Sequence, residues 1–330
     1  MQYIQMGASG LTVSRLAFGT MSFGDQADEK TSAELYATCR DAGVTVFDTA
    51  DVYTQGRSEE ILGRLIAGHR DEVIVASKAY FPTGPGTNDR GASRYHLRRA
   101  VEASLKRMNI DHIDVYYVHR FDDKTPIEET FRALDDLVSD GKIGYVGVSN
   151  FSAWQTQQAV DLCKHRGWTA PSVIQPMYNL VKRQAEVELL PMAAANGVGV
   201  MAYSPLGGGL LTGKYGPGQK PASGRLVENA MYSLRYGDQD NYRVASEFTA
   251  LAQEFGVHPV ALAVRWVADH PAVTAPLLGA RSVSQLSPAL QALDIDLPDD
   301  WYRRIAALST APPTATDRSE EGTNLHYGVR

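Results

Sequence analysis

Eight short apolar runs, each followed by an amphipathic or polar stretch, constrain this chain more than any other feature. The runs are Arg15–Phe18, Val44–Phe47, Val73–Ser77, Ile113–Val118, Tyr145–Val148, Val173–Gln175, Val198–Tyr203 and Val273–Leu278. Their apolar, Val- and Ile-containing make-up reads as buried strand. Between them, sets such as Leu97, Val101, Leu105, Met108 and Ile127, Phe131, Leu134, Val138 recur at the three-and-four spacing of a buried helical face. Alternating strands and helices give a parallel sheet, and eight rounds fit a closed (β/α)8 TIM barrel of class α/β. That architecture often reaches this length as one unit, so a single domain over residues 1–330 is expected.

Three further segments depart from the alternation. Gly7-Ala8-Ser9-Gly10 between Tyr3–Gln5 and Leu11–Val13 predicts an N-terminal β-hairpin that plugs the bottom of the barrel. Long loops are expected after the third strand, Tyr80–Ser93, and after the seventh, Leu206–Tyr242; both leave the strand ends where barrels carry their sites. The polar tail, residues 310–330, has no helical period and is expected to fray or to fold over the pocket mouth.

Composition narrows the function. A net charge of -6 gives no electrostatic reason to expect nucleic acid or an anionic membrane as partner. No basic-then-apolar leader opens the chain and no apolar run approaches about 18 residues, so a cytoplasmic protein is expected. The two cysteines, Cys39 and Cys163, lie in helix-like stretches and read as small core residues, not a disulfide framework. The eight histidines show neither His-x-His nor His-Glu-x-x-His spacing, so no metal site is expected. Oligomeric state is not legible.

The segment Ser204 to Tyr215 nearly satisfies two nucleotide motifs and fails both. Gly207-x-Gly209-x-x-Thr212 lacks the third glycine of a dinucleotide fingerprint, and Gly208-x4-Gly213-Lys214 continues into Tyr215 where a phosphate loop needs Ser or Thr. What survives is a glycine-rich loop whose amides can face an anion, with Lys214 and Arg225 adding positive charge.

Asp48, Tyr53, Lys78 and His119 each close a strand run or follow one, which brings a carboxylate, a phenol, an ammonium and an imidazole to one mouth. Each alone has a structural explanation; the coincidence of four points to chemistry. An ammonium near a phenol is expected to lower its pKa, Asp48 to keep Lys78 charged, and His119 to orient a carbonyl oxygen. Such a set protonates a forming alkoxide, and since none of the four residues delivers hydride, a nicotinamide is the expected source.

The runs Phe47-Asp48-Thr49-Ala50-Asp51-Val52-Tyr53, Ser77-Lys78 and Tyr116-Tyr117-Val118-His119-Arg120 resemble the signature segments of the aldo-keto reductases. So do Gly141 to Phe151, Gln175-Pro176-Met177-Tyr178-Asn179, Ala202-Tyr203-Ser204-Pro205-Leu206 and Gly279-Ala280-Arg281. The resemblance spans the chain to about residue 310 and is nearest to the branch of the potassium-channel β subunits and their bacterial relatives. It implies NADPH, with NADH possible, bound extended without a Rossmann domain. By position it makes Tyr53 the proton donor, Lys78 its modulator, Asp48 the partner of Lys78 and His119 the carbonyl-orienting group. It places Ser149, Asn150 and Gln175 at the carboxamide of the nicotinamide and Tyr203 on its ring, with Gly19, Thr20, Met21, Asp48 and Pro205 also among the cofactor-binding residues. Ser204, Leu206, Gly208, Lys214 and Arg225 fall at the pyrophosphate, and Gly279, Arg281 and Gln285 at the adenosine end. Arg281 suits a 2′-phosphate because guanidinium and phosphate match in shape and charge. Where relatives commonly carry a Glu-Asn pair to grip adenine, this chain has Pro288 and Ala289, which form no such hydrogen bonds.

Phe23, Tyr80, Phe81, Phe121 and Tyr178, with Met21, Trp154 and Tyr232, are expected to wall a substrate pocket suited to flat or hydrophobic aldehydes and ketones. Asn88, Arg90, Arg120 and Asp122 leave a sugar-like or phosphorylated carbonyl open. Two other readings are weighed: Lys78 as a Schiff-base nucleophile, which leaves Tyr53 unexplained, and an NADPH-holding redox-sensing regulatory subunit with slow turnover.

Overall fold

The structure is a computed structural model and describes residues 1–219 and 221–318. Strands β1 (Tyr3–Gln5) and β2 (Thr12–Ser14) form the expected antiparallel hairpin. Strands β3 (Ala17–Gly19), β4 (Val46–Asp48), β5 (Ile74–Ala79), β6 (Ile113–Val118), β7 (Ile143–Ser149), β8 (Val173–Gln175), β9 (Gly199–Ala202) and β10 (Ala275–Leu278) then pair in parallel, and β10 returns to β3 to close the barrel. This is the (β/α)8 TIM barrel that the alternation predicts.

Strand alternation sorts side chains into two cores. Inside the barrel lie Ala17, Val46, Ala76, Val115, Tyr117, Val173, Met201 and Ala275, joined from below by Met6 and Val13 of the hairpin. Outward residues such as Phe47, Val75, Tyr116, Val118 and Ile174 pack beneath the helices. The hairpin therefore seals the amino-terminal end, and Ala8 N–H fixes it by donating to Gly197 O at 2.6 Å. Gly147 on β7 makes room for the largest interior side chain. A Cβ there would overlap the Tyr117 ring and come within 3.0 Å of Val173 Cγ1.

Several strands start later than the apolar runs do. Val44, Val198 and Val273 are buried, but their N–H groups bond back to Cys39 and Ala193 within the preceding helices and to His270 in the bend before the last strand. Hydrophobicity records burial, whereas the ladder begins only when the chain has left the helix. One consequence matters for chemistry: Asp48 is the last residue of β4 and Lys78 lies within β5.

Helices α1 (Glu29–Asp41), α2 (Arg57–Ile66), α3 (Arg94–Met108), α4 (Ile127–Ser139), α5 (Ala153–Arg166) and α6 (Leu189–Asn196) fill the first crossovers. On α3 the Ser93 side chain caps the start, and Leu97, Val101, Leu105 and Met108 are all buried as the spacing predicts. The loop of residues 80–93 is irregular, as expected. The segment from Leu206 is not. It holds a 3₁₀ turn (Gly207–Thr212) and two short helices, α7 (Arg225–Glu228) and α8 (Ala230–Tyr236), before α9 (Gln239–Glu254) begins inside the expected loop. Helices α10 (Pro259–Ala268), α11 (Val283–Leu290) and α12 (Trp301–Ala306) complete the layer. Residues 310–318 form neither helix nor strand. The expected folding of the tail over the pocket lies, for residues 319–330, outside the described residues. Among the described residues no helix is long and apolar enough to cross a membrane.

Candidate active site

The inward-facing positions at the carboxyl ends of β4, β5 and β8 bring Asp48, Lys78 and Gln175 into contact. Lys78 Nζ donates to Asp48 Oδ1 and, at 2.8 Å, to Thr49 O, while Gln175 Nε2 donates to Asp48 Oδ2 at 2.8 Å. Lys78 has no exposed surface and Asp48 is 2% exposed, so the pair is held away from water. Burial alone would discharge the ammonium, but Asp48 and then Tyr53 outweigh it and raise the Lys78 pKa. Burial likewise pushes the Asp48 carboxyl up, against Lys78 and Gln175, which pull it down. We take the pair as ionised, because both carboxylate oxygens accept from donors that have no better partner there.

Tyr53 opens a 3₁₀ turn (Tyr53–Gly56) just past β4. Thr54 and Gln55 follow it at φ 49° and 56°, left-handed values that cost side-chain-bearing residues roughly 1–2 kcal/mol apiece. Thr54 Oγ1 holds the turn by donating to Phe23 O at 3.0 Å. The strained turn sets the phenol over the ion pair, with Lys78 Nζ 5.1 Å from the ring centroid. The expected acidification of this phenol does not survive. Burial is the largest influence and raises the Tyr53 pKa; Lys78 pulls it down, but by less. Tyr53 therefore stands as a protonated hydroxyl, the form that can donate.

His119 follows β6, its ring 6.0 Å from that of Tyr53 and 4.9 Å from that of Phe81. Burial, helped by the Lys78 charge, pushes its pKa down to about 3, so the imidazole is neutral at physiological pH. Its Nδ1 is buried without a hydrogen-bond partner. From here a chain of bonds runs along the strand ends. Asn150 Nδ2 donates to His119 O (2.9 Å) and Ser149 Oγ (3.1 Å), Ser149 Oγ donates to Gln175 O (2.9 Å), and Tyr203 O–H donates to Asn150 Oδ1 (2.8 Å). Burial raises the Tyr203 phenol to about 12.

The aromatic wall is smaller than expected. Tyr80 and Phe81 meet edge to face at 5.3 Å beside His119, and Phe121 packs on Phe151 and on Trp154, which is 63% exposed. Phe23 and Tyr178 do not belong to it, for both are fully buried. Phe23 turns inward onto Phe18 at 5.8 Å, and Tyr178 stacks on Trp266 at 5.2 Å and donates to Glu186 at 2.7 Å. Thr20 is likewise fully buried, its hydroxyl bonded to Asp48 O at 3.2 Å and Ser58 Oγ at 2.7 Å, so it supports the site and offers no surface. Pro205 is also buried, whereas Met21 is 38% exposed and Gly279 is exposed.

Tyr232, expected at the substrate pocket, lies on α8 against the glycine-rich loop, where Gly208 (φ 67°) must lack a side chain, since a Cβ would stand 2.7 Å from Tyr232 Cδ1. The structure also adds residues that the sequence did not single out. Arg235 lies on the same helix, its Cζ 5.3 Å from the Tyr232 ring centroid. Behind the quartet, Asp51 is 2% exposed with neither oxygen in a well-formed hydrogen bond, next to the buried Glu59 that takes Arg107 Nε (2.6 Å) and Ser77 Oγ (2.5 Å). Burial, then Glu59, push the Asp51 carboxyl up to about 8. Glu59 itself lies on the buried face of α2.

Barrel and site together define an enzyme that works on a small molecule at the carboxyl end of its strands. The model described as the Aldo/keto reductase family matches residues 15–310, and the chain belongs to that family. Among its relatives is a probable voltage-gated potassium channel subunit beta of Oryza sativa subsp. japonica, 38% identical over 96% of this chain and 99% of the relative. An uncharacterized oxidoreductase, YrpG, of Bacillus subtilis (strain 168) is 37% identical over 94% of this chain and 97% of its own. The L-glyceraldehyde 3-phosphate reductase of Escherichia coli (strain K12) is 37% identical over 89% and 88%. The protein is thus an NAD(P)H-dependent oxidoreductase of carbonyl compounds.

The residues present fit such a cofactor. The 3₁₀ turn Gly207–Thr212 carries Gly208 and Gly209 at positive φ, and a Cβ on Gly209 would meet nothing within 4 Å, so backbone there is open to close approach. Lys214 is exposed and Arg225 half-buried, and among the described residues neither is paired with a carboxylate. Arg281 is less free: Nη1 reaches Glu228 Oε2 at 3.5 Å, and its N–H donates to Gln285 Oε1 at 3.1 Å. Pro288 lies inside α11 and Ala289 is buried.

Proposed function

We propose that the protein reduces aldehydes and ketones to alcohols, reversibly, with NADPH preferred and Tyr53 delivering the proton. The observation that carries this reading is the buried Asp48–Lys78 contact, with Lys78 Nζ 5.1 Å from the centroid of the Tyr53 ring. NADPH supplies the hydride when bound. Ser149, Asn150 and Gln175 would hold its carboxamide, Tyr203 would support its ring, and the glycine-rich turn with Lys214 and Arg225 would take the diphosphate. Neutral His119 donates a hydrogen bond to the substrate carbonyl and aims its oxygen at the Tyr53 hydroxyl. As negative charge develops on that oxygen, Tyr53 gives up its proton, and the phenolate left behind is stabilised by the adjacent ammonium, a gain made only as the reaction proceeds. Phe81 and Phe121 give the carbonyl's apolar body a surface and displace water.

Tyr53→Phe tests the assignment. Loss of a general acid lowers turnover roughly 10²–10⁴-fold, and cofactor affinity measured by fluorescence titration should stay within about twofold. An equal loss of cofactor binding would show that the phenol serves the fold instead. The likeness to a plant channel β subunit supports a second reading, a cofactor-holding regulatory subunit. That reading expects tight cofactor binding with turnover far below about one per second on every carbonyl tried.

A further inference from the structure

Tyr232 carries two guanidinium groups. Arg225 Cζ lies 5.4 Å and Arg235 Cζ 5.3 Å from its ring centroid. Arginines on the neighbouring elements are neutralised: Arg183 by Glu186, Arg243 by Asp240 and Glu247, Arg281 by Glu228. Among the described residues, neither Arg225 nor Arg235 has a carboxylate partner, although both are half-buried. Two uncompensated like charges on one ring are attractive to an anion.

The position of α8 makes this more than a surface feature. Tyr236, one turn beyond Tyr232, is fully buried; its hydroxyl donates to Met177 Sδ (3.3 Å) and accepts from Asn179 Nδ2 (3.3 Å), which also donates to Ser204 O (2.9 Å). Those bonds pin the helix beside Tyr203 and over the glycine-rich loop. Tyr232 and Tyr236 both stand against Gly208, where a Cβ would lie 2.7 Å and 3.1 Å from their rings, so the helix is seated over the loop that leaves Tyr203 at the carboxyl end of the barrel. Arg225 is already assigned to the cofactor diphosphate. Arg235 is left over, a half-buried guanidinium stacked on Tyr232, on a helix seated over the loop that follows Tyr203.

We propose that Arg235 is a substrate-specificity residue that binds an anionic group, phosphate or carboxylate, carried by the carbonyl substrate. This rests on the carbonyl-reductase reading and narrows it to short aldehydes or ketones with a negative tail. The guanidinium fork fixes the tail and thereby orients the carbonyl toward Tyr53.

Two measurements test it on the full-length protein. In the first, wild type, Arg235→Gln and Arg235→Lys are compared on matched substrates: glyceraldehyde 3-phosphate with glyceraldehyde, and succinic semialdehyde with butyraldehyde. The Gln variant should raise KM for the anionic member about tenfold or more and leave the neutral member within about twofold, with kcat little changed and partial rescue by Lys. A rise with only one kind of anion identifies the source, phosphate or carboxylate. Equal changes for charged and neutral members would overturn the proposal, as would weakened NADPH binding with no KM selectivity, which would assign Arg235 to the cofactor. The second is calorimetry on NADP⁺-loaded protein with glycerol 3-phosphate and glycerol, which needs no turnover. Binding of glycerol 3-phosphate no tighter than glycerol, together with no Arg235-dependent succinate binding, refutes the proposal even if the enzyme reduces neutral aldehydes well. Failure on every carbonyl, with Arg235-dependent anion binding intact, would sink the reductase reading alone.

Discussion

Asp51→Asn should make the protein's stability less sensitive to pH. Asp51 is 2% exposed, lacks a well-formed hydrogen bond, faces Glu59, and is pushed from 3.8 to about 8. The sign follows from proton counting. Between those two values the folded protein keeps a proton that the unfolded chain has released, so stability is full below the lower value and falls as pH rises toward the upper. Each unit is worth about 1.4 kcal/mol, so moving from about pH 5 to about pH 7 costs the wild type roughly 2.7 kcal/mol at this one site. Asparagine matches the neutral carboxyl in shape and has no proton to lose. Urea unfolding of both proteins across that window isolates the site, because every other titration cancels in the difference. The variant should gain on the wild type by about 2–3 kcal/mol from the lower pH to the higher. A difference that stays flat with pH would show that Asp51 is ionised in the folded state and that its surroundings are not as dry as its burial implies.

Two further substitutions address the interior and the cofactor. Gly147→Ala places a methyl group against the Tyr117 ring and Val173 inside the closed barrel, an overpacking that should cost about 1–3 kcal/mol in urea unfolding; an unchanged midpoint would mean the barrel can breathe at β7. Arg281→Ala should weaken NADPH about tenfold or more and NADH little, in fluorescence titrations of each nucleotide, if its guanidinium leaves Glu228 for the 2′-phosphate. The same loss for both nucleotides removes that assignment.

The strands were legible because each is covered on both sides, by the barrel interior and by helices, and so reads as an unbroken apolar run. Their starts were not, because Val44, Val198 and Val273 are buried while still bonded to the preceding helix or to the bend that follows it. Asp48, Tyr53, Lys78 and His119 stood out because ionisable residues in or just after apolar runs have few structural reasons to be there. The sense of the Tyr53 shift was hidden: a partner lysine is visible in sequence, but the burial that outweighs it is not. Phe23 and Tyr178 were misplaced for a similar reason, since an aromatic residue in a catalytic-face loop can turn toward the pocket or into the core, and Phe18 and Trp266 decide it. Helix α8 escaped notice because what holds it is the contact of Tyr236 with Asn179 and Met177, not an apolar period of its own.

The side chains that fill the cylinder, from Met6 and Val13 at its foot to Tyr117 and Met201 within, leave no passage from end to end. Whatever reaches Asp48 and Lys78 arrives over the open rim, so the bordering loops can change from one such protein to the next without disturbing the packed shaft beneath them.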